Sequence, residues 1–303
     1  MMVEPVSRGA VAGSAVDAIR VAPAKRGYWR AVRRKLARDP IAITCGIVLI
    51  LIMLAAVFAP LIAPADPYRT SVARRLLPIG SPNHILGTDE LGRDMLSRLI
   101  YGGRVSLLMG LLPVLCATLM GSLIGIVAGF AGRWVNMILM RIVDVFFAFP
   151  SVLLAVALAG VMGAGLVNCL VALSLVLTPS ITRIAESATT QIRNQGFVEA
   201  ARATGASTWR IVVGHVLSNV MGPILTYASS QISVAIVLAS GLSFLGLGVT
   251  APTADWGLML NTLRQSLWVA PVNAILPGVM ILVTSVCFNL LSDGLRTALD
   301  VKP

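Results

Sequence analysis

Between two long apolar stretches of this 303-residue chain lies Gly196-Phe197-Val198-Glu199-Ala200-Ala201-Arg202-Ala203-Thr204-Gly205. It is the segment best suited to do work. Glu199 stands where negative charge favours the start of a helix. Ala200, Ala201 and Ala203 keep that helix slim, and Gly205 can take the left-handed turn that stops it. Ser207 can then cap a second helix through Trp209 and Ile211. The chemistry on offer is mechanical: a narrow, smooth helix that fits a groove on another protein, or a plain connector at a membrane surface. From these residues alone both remain open.

Covalent chemistry has no comparable support. The three lysines, Lys25, Lys35 and Lys302, sit in no Gly-rich phosphate loop, so the chain is not expected to bind nucleotide. No nucleophile stands beside a base, no acid pair converges, and no enzyme activity is expected. His84 and His215 belong to no ligand cluster, so neither a metal nor another cofactor is expected. Cys45, Cys116, Cys169 and Cys287 all lie in apolar runs and read as small packing residues.

The elements that must position the loop are membrane spans. Hydrophobic residues make up 57% of the chain and charged residues 12%, against roughly a quarter charged in soluble domains. A net charge of +11 would suit nucleic acid, but the basic residues gather at the ends of apolar runs, as lipid-bilayer proteins use them. Residues 1–20 have no period and read as disordered. From Tyr28, with Trp29, Val32 and Leu36 on one face and arginines around them, a basic interfacial helix is expected. Asp39 can cap the next helix and Pro40 open it. Residues 1–39 thus form a basic tail and 40–303 a transmembrane domain. Its spans fall near 41–63, 105–130, 138–160, 165–185, 220–246 and 272–292, each about 20 residues or longer as a bilayer requires. The fold class is all-α and polytopic.

Arginine placement orients the spans. The N-terminal tail, a 131–141 loop, the 187–216 loop and the C-terminal tail are expected in the cytoplasm, and residues 64–104, 161–167 and 247–271 outside. Against this, the 64–104 segment carries six arginines, partly offset by four acids. A helix is expected there, capped by Thr88, with an apolar stripe of Leu91, Met95 and Leu99, an Asp94–Arg98 pair and a stop at Gly102-Gly103. Asp144 with Arg141, and Glu186 with Arg183, read as local ion pairs. Gly121, Gly125 and Gly129 clear one helix face for close helix packing. Thr226, Ser229, Ser230, Gln231, Ser233 and Ser240 put neutral polar groups on the fifth span. Ser229, Ser230, Gln231 and Ser233 are candidate pore-lining residues, or equally helix-packing ones. The first, second, fifth and sixth spans hold no ionisable residue, which weighs against an ion-coupled carrier.

Glu199-Ala200-Ala201-x-x-x-Gly205, with His215-Val216-Leu217-Ser218-Asn219 after it, resembles the coupling loop of ABC importer permeases of the dipeptide/oligopeptide/nickel branch, with Ser218 where that branch usually has proline. Leu86-Gly87-Thr88-Asp89-Glu90-Leu91-Gly92-Arg93-Asp94-x-x-Ser97-Arg98, Gly103-Arg104-x-Ser106-Leu107, Leu242 to Gly248, Trp256-Gly257 and Asn289-Leu290-Leu291-x-Asp293-Gly294-Leu295-Arg296 are similar to the C-type subunit. Thr297 and Val301 replace its usual Asp and Pro. The resemblance covers roughly residues 30–300. It implies the type I importer permease fold, a bacterial plasma (inner) membrane location and a second homologous permease. It further implies two ABC ATPase subunits contacted by Glu199, Ala200, Ala201 and Gly205, and an extracytoplasmic substrate-binding protein. Short peptides are the implied cargo, with nickel chelates, glutathione-like peptides and glycosides as alternatives. A self-sufficient secondary carrier and a non-transporting scaffold are the rivals from other classes.

The arginine distribution generates the first prediction. Single cysteines introduced at Ser71 and Ser207, in a chain lacking the native four, should be labelled by an impermeant reagent from opposite sides of the membrane. Labelling from one side would refute the orientation.

Overall fold

A computed structural model describes residues 34–299. The disordered stretch expected at 1–20, most of the basic helix from Tyr28, and Lys302 lie outside the described residues. Within them every named element is helical, apart from two isolated β-bridges.

Helix α1 spans Pro40–Val57, and one further turn, α2, spans Ala59–Ile62. Its start is as expected: the Asp39 side chain accepts from the Ile41 and Ala42 backbone N–H groups, with Pro40 in the first turn. Helix α3 spans Met95–Ala131. At 1.5 Å per residue its 37 residues reach about 55 Å, far more than the ~30 Å hydrocarbon core. It therefore absorbs the expected outer helix. The true cap is Asp94, which accepts from the backbone N–H of Ser97 at 2.8 Å and from its hydroxyl at 2.7 Å. Thr88 caps nothing; its hydroxyl accepts from Leu77 N–H and donates to the Arg74 carbonyl. Gly102 and Gly103 do not stop the helix either. A Cβ at either would lie 3.1–3.2 Å from the indole of Trp256, which is fully buried and donates through Nε1 to the Leu99 carbonyl. The glycines seat a ring from about 150 residues away.

The expected Asp94–Arg98 pair is also replaced. Asp94 binds His84 Nδ1 at 2.9 Å. Arg98 lies 3.2 Å from Asp89 and donates to the Pro67 and Pro252 carbonyls. Asp89 also holds Arg93 at 2.6 Å, and all three side chains are buried. Segment 64–94 is thereby fastened to the start of α3, and at the same end of the bundle Asn273 donates to the Leu77 and Thr88 carbonyls.

After Gly132, at φ +112°, helix α4 (Arg133–Phe147) begins at once, so the expected 131–141 loop is one residue long. Helix α5 (Ser151–Met162) follows at 88° to α4. The expected third span is thus a broken one, because Pro150 disfavours helical geometry at Phe149. Helix α6 (Leu166–Arg193) carries Pro179 in its interior. It leads to α7 (Gly196–Ala203), α8 (Thr208–Ile211), a π-turn (Val212–Val216) and α9 (Leu217–Phe244). Short α10 (Trp256–Leu263) and long α11 (Pro271–Leu299) complete the described chain. Among the described residues five helices are long and apolar enough to cross a membrane, and six spans result if the bent pair counts as one.

Helix α3 packs most extensively on α6, α9 joins both, and α11 packs on α1 and α9. The α3–α6 contact runs through the glycine stripe. A Cβ at Gly121 would lie 3.0 Å from the Thr178 carbonyl, at Gly125 2.5 Å from Ala185 Cβ, and at Gly129 2.7 Å from Thr189 Cβ. The facing hydroxyls of Thr178, Thr182 and Thr189 donate to carbonyls one turn back in α6, so they need no partner across the interface. The expected ion pairs form differently. Asp144 pairs across helices with Arg183, whose guanidinium lies 4.5 Å from the Phe147 ring centroid. Glu186 accepts from Asn136 of α4 at 2.6 Å and from Thr190.

Gly125→Val should force α3 from α6 and cost about 1–3 kcal/mol, as overpacking does. Gly160→Ala, at a position with nothing within 4 Å of a new Cβ, should be neutral. Thermal aggregation of the detergent-solubilised protein, read by size exclusion, checks both. Equal stability of the Gly125 variant and the wild type would contradict the packing described.

Candidate functional site

Helix α7 is short, and its stability comes from its two ends and its inner face. Glu199 lies in the first turn and Arg202 in the last, each matched to the helix dipole. The C-terminus closes with a pair of bonds. Ala206 N–H donates to the Ala201 carbonyl at 3.1 Å and Gly205 N–H to the Arg202 carbonyl at 2.9 Å. This is the Schellman arrangement, and it requires Gly205 in the left-handed region, where φ is +77°. Open space surrounds Gly205, so any side chain there would suffer backbone strain alone.

One face of α7 roots it in the bundle. Val198 is fully buried in the main apolar core with Ile211, Val216 and Val220, and Ala201 and Ala206 pack against the same core. The Arg202 guanidinium sits 5.3 Å from the Phe130 ring centroid at the end of α3, and Phe197 tilts against His215 at 6.3 Å. The opposite face, with Glu199, Ala200, Ala203 and Thr204, is exposed. It offers one carboxylate on an otherwise small-residue surface, backed by a packed core.

After Gly205 the expected second helix forms through Trp209 and Ile211, but not with the expected cap. Ser207 occupies the cap position, but its side chain makes no capping bond. From Thr208 the chain continues through the π-turn into α9 as one 37-residue helical unit. Ser218 keeps a backbone N–H that proline would lack, and its hydroxyl lies within hydrogen-bonding reach of the Gly214 and His215 carbonyls. Helix α7 is thus joined through the chain to two long helices, α6 before it and α9 after it.

The polar residues of α9 do not share one cavity, because successive helical residues turn through 1/3.6 of a circle. Ser230 lines a cavity of about 650 Å³ between α6, α9 and α11. Gln231 lines one of about 250 Å³ at the α4–α5 break and donates to Ser180. Ser229 lines an apolar groove between α3 and α9 and meets the Ser292 hydroxyl at 2.8 Å. Ser233 lines a fourth cavity with Ser285 and Asn289. Gly121, Gly125 and Gly129 face α6 and line none of these cavities. The sequence reading missed Asp293 and Arg296 as cavity residues, although it singled out the motif containing them. They lie three residues apart near a helix end and pass for boundary charges.

Residues 121–302 match the family described as binding-protein-dependent transport system inner membrane component. Residues 27–78 match the N-terminal TM domain of oligopeptide transport permease C. The chain is 39% identical over 274 residues to the dipeptide transport system permease protein DppC of Alkalihalophilus pseudofirmus, covering 90% of each. It is 39% identical over 277 residues to the glutathione transport system permease protein GsiD of Pectobacterium atrosepticum, covering 91% of this chain and 92% of the relative. It is 42% identical over 259 residues to the di/tripeptide transport system permease protein DppC of Pseudomonas aeruginosa, covering 84% and 86%. Inward-facing structures of the MetNI methionine ABC transporter share the fold, with TM-scores of 0.55 and 0.56 at 18% and 19% identity, covering 67% of this chain and 97% of theirs. The chain therefore belongs to the inner membrane components of binding-protein-dependent ABC importers, as a permease of the oligopeptide C type.

Proposed function

We propose that this permease forms half of the translocation pathway of an importer of short peptides, opposite a second homologous permease, and takes its motion from two ATPase subunits gripping α7. The single observation that carries the coupling role is the two-sided character of α7: one face buried in the bundle core, the other exposed, small and bearing Glu199. A groove closing on that face pushes on Val198 and Ala201, and through them on α6 and α9. Family membership supports the other partners, since a binding-protein-dependent transporter includes a substrate-binding protein and an ATPase.

The orientation that suits these roles puts the 187–216 loop and both termini in the cytoplasm, with 64–104 facing the binding protein. Three relatives bear the names of dipeptide, di/tripeptide and glutathione permeases. All of those solutes are short peptides, and the same cargo class is proposed here. The neutral hydroxyls of α9 suit it, because conduction needs weak, distributed binding.

Gly205→Val and Glu199→Lys should each abolish uptake while membrane abundance stays near normal. Strain at a φ of +77° disrupts the helix stop in the first, and charge reversal repels the dipole in the second. Uptake in vesicles with matched protein levels, with pull-down of the ATPase, measures the effect. Wild-type uptake and ATPase binding in both variants would remove α7 from the coupling path.

Cargo is tested separately. Deleting the gene should abolish uptake of labelled di- to pentapeptides and leave nickel uptake unchanged. Unchanged peptide uptake with lost nickel uptake would reject the peptide assignment and leave the importer architecture standing.

A further inference from the structure

The cavity between α6, α9 and α11 carries chemistry that the coupling role does not use. Its walls come from the C-terminal part of α6 at Ile184, the N-terminal part of α9 from Gly222 to Ser230, and the end of α11 from Ser292 to Leu299. All three lie toward the end of the bundle where the α7 loop joins α6 to α9. Gly222, Pro223, Asp293 and Arg296 are exposed, so the cavity is reached from outside the bundle. Its volume, about 650 Å³, falls in the ~300–1,000 Å³ range of small-molecule sites.

Two opposite charges border this space, Asp293 and Arg296. They stand one helical turn apart, where an ion pair is easily made. Yet neither side chain has a hydrogen bond or ion pair among the described residues. Elsewhere near this end of the bundle, Arg183 is paired with Asp144, Glu186 with Asn136, and Arg193 with the Gly129 carbonyl.

The neutral groups nearby complement the charges. The hydroxyls of Thr226 and Ser230 donate to carbonyls of their own helix, and Ser292 engages Ser229. With their protons so occupied, Thr226 and Ser230 offer lone pairs to N–H groups. The Tyr227 hydroxyl has no partner among the described residues and can donate as well as accept. An open carboxylate, an open guanidinium and amide-matching hydroxyls around one cavity describe the counterpart of a short peptide with free termini.

We propose that this cavity binds a small zwitterion of the peptide class, its carboxylate on Arg296 and its ammonium on Asp293. The site rests on the peptide-import proposal for its cargo, and on the proposed orientation for its side. It then opens to the cytoplasm, so peptide accumulated inside occupies it and slows further import. A phospholipid with an amine headgroup presents similar charges. The soluble peptide is favoured because the Thr226, Tyr227, Ser230 and Ser292 hydroxyls share the walls with both charges.

The test is equilibrium binding of labelled L-alanyl-L-alanine to the assembled permease–ATPase complex in phosphatidylcholine nanodiscs, without ATP or binding protein. Saturable binding is expected, and the same peptide acetylated at its N-terminus and amidated at its C-terminus should not compete. Arg296→Gln and Asp293→Asn should each weaken binding about tenfold or more, as loss of a charged hydrogen bond does. The peptide amidated only at its C-terminus should bind wild type and Arg296→Gln alike, and the peptide acetylated only at its N-terminus should bind wild type and Asp293→Asn alike. Absence of saturable binding, competition by the doubly blocked peptide, or unchanged affinity in both variants would overturn the proposal. So would binding that phosphatidylethanolamine abolishes while co-purifying in an Arg296-dependent way, since the lipid would then own the site. The blocked-peptide comparison on wild type needs no variant to fold. The measurement needs no transport, so it stays interpretable if gene deletion shows that the importer carries another solute.

Discussion

Backbone-to-backbone contact between α3 and α6 is the constraint on which the rest of the structure depends. In a bilayer, lipid tails are as apolar as leucine, so burial of apolar surface cannot drive helix association as it does in water. Dispersion over a close contact must do it, and dispersion falls steeply with distance. Gly121, Gly125 and Gly129 let α3 lie against the Thr178, Thr182 and Glu186 backbone. Threonine back-bonding within α6 keeps that face free of unsatisfied hydroxyls. The pair then sets both supports of α7. Helix α6 runs into it directly, and Phe130 at the end of α3 sits beneath Arg202. Loss of the α3–α6 register would leave α7 without a fixed base.

At the opposite end the organising force is electrostatic. Asp89 holds Arg93 and Arg98, and all three are buried. Such clusters are costly to desolvate, and removing one member is costlier still, because the remaining charge is left buried and unpaired. Here the Pro67 and Pro252 carbonyls share the Arg98 guanidinium, so one side chain joins three segments far apart in sequence. Segment 64–94 has little regular structure of its own. It takes its shape from this cluster, from the Asp94–His84 contact and from Asn273.

What the sequence made legible, and what it hid, follows from range. The spans were readable because a bilayer imposes a length and an apolar composition on each segment independently. The end of α7 was readable because the Schellman closure is local, and Gly205 alone announces it. The outer helix was misread for the same reason of locality. Thr88, Asp89 and Glu90 fit a first turn, and Leu91, Met95 and Leu99 fit a helical stripe. Distant partners nevertheless claimed Thr88 for a loop and placed Trp256 on Gly102 and Gly103. Asp144 and Glu186 were assigned to neighbours on their own helices, whereas packing brought Arg183 and Asn136 from other helices within reach. Asp293 and Arg296 stand on a cavity wall that only the convergence of α6, α9 and α11 creates.

The break between α4 and α5 has a consequence for water. Helix α4 has 15 residues and α5 has 12, so neither alone crosses a hydrocarbon core of ~30 Å at 1.5 Å per residue. Ser151, Val152 and Leu153 open α5 with backbone N–H groups that have no acceptor among the described residues. Lipid cannot satisfy them, and each left bare in hydrocarbon would cost several kcal/mol. The break therefore needs polar partners, from water or from protein, wherever it sits within a bilayer. The 250 Å³ cavity beside it, with Ser151, Ser180 and Gln231 on its walls, supplies the space and the partners. Two half-length helices meeting at a bend thus carry a standing demand for polar company that a straight span would not have.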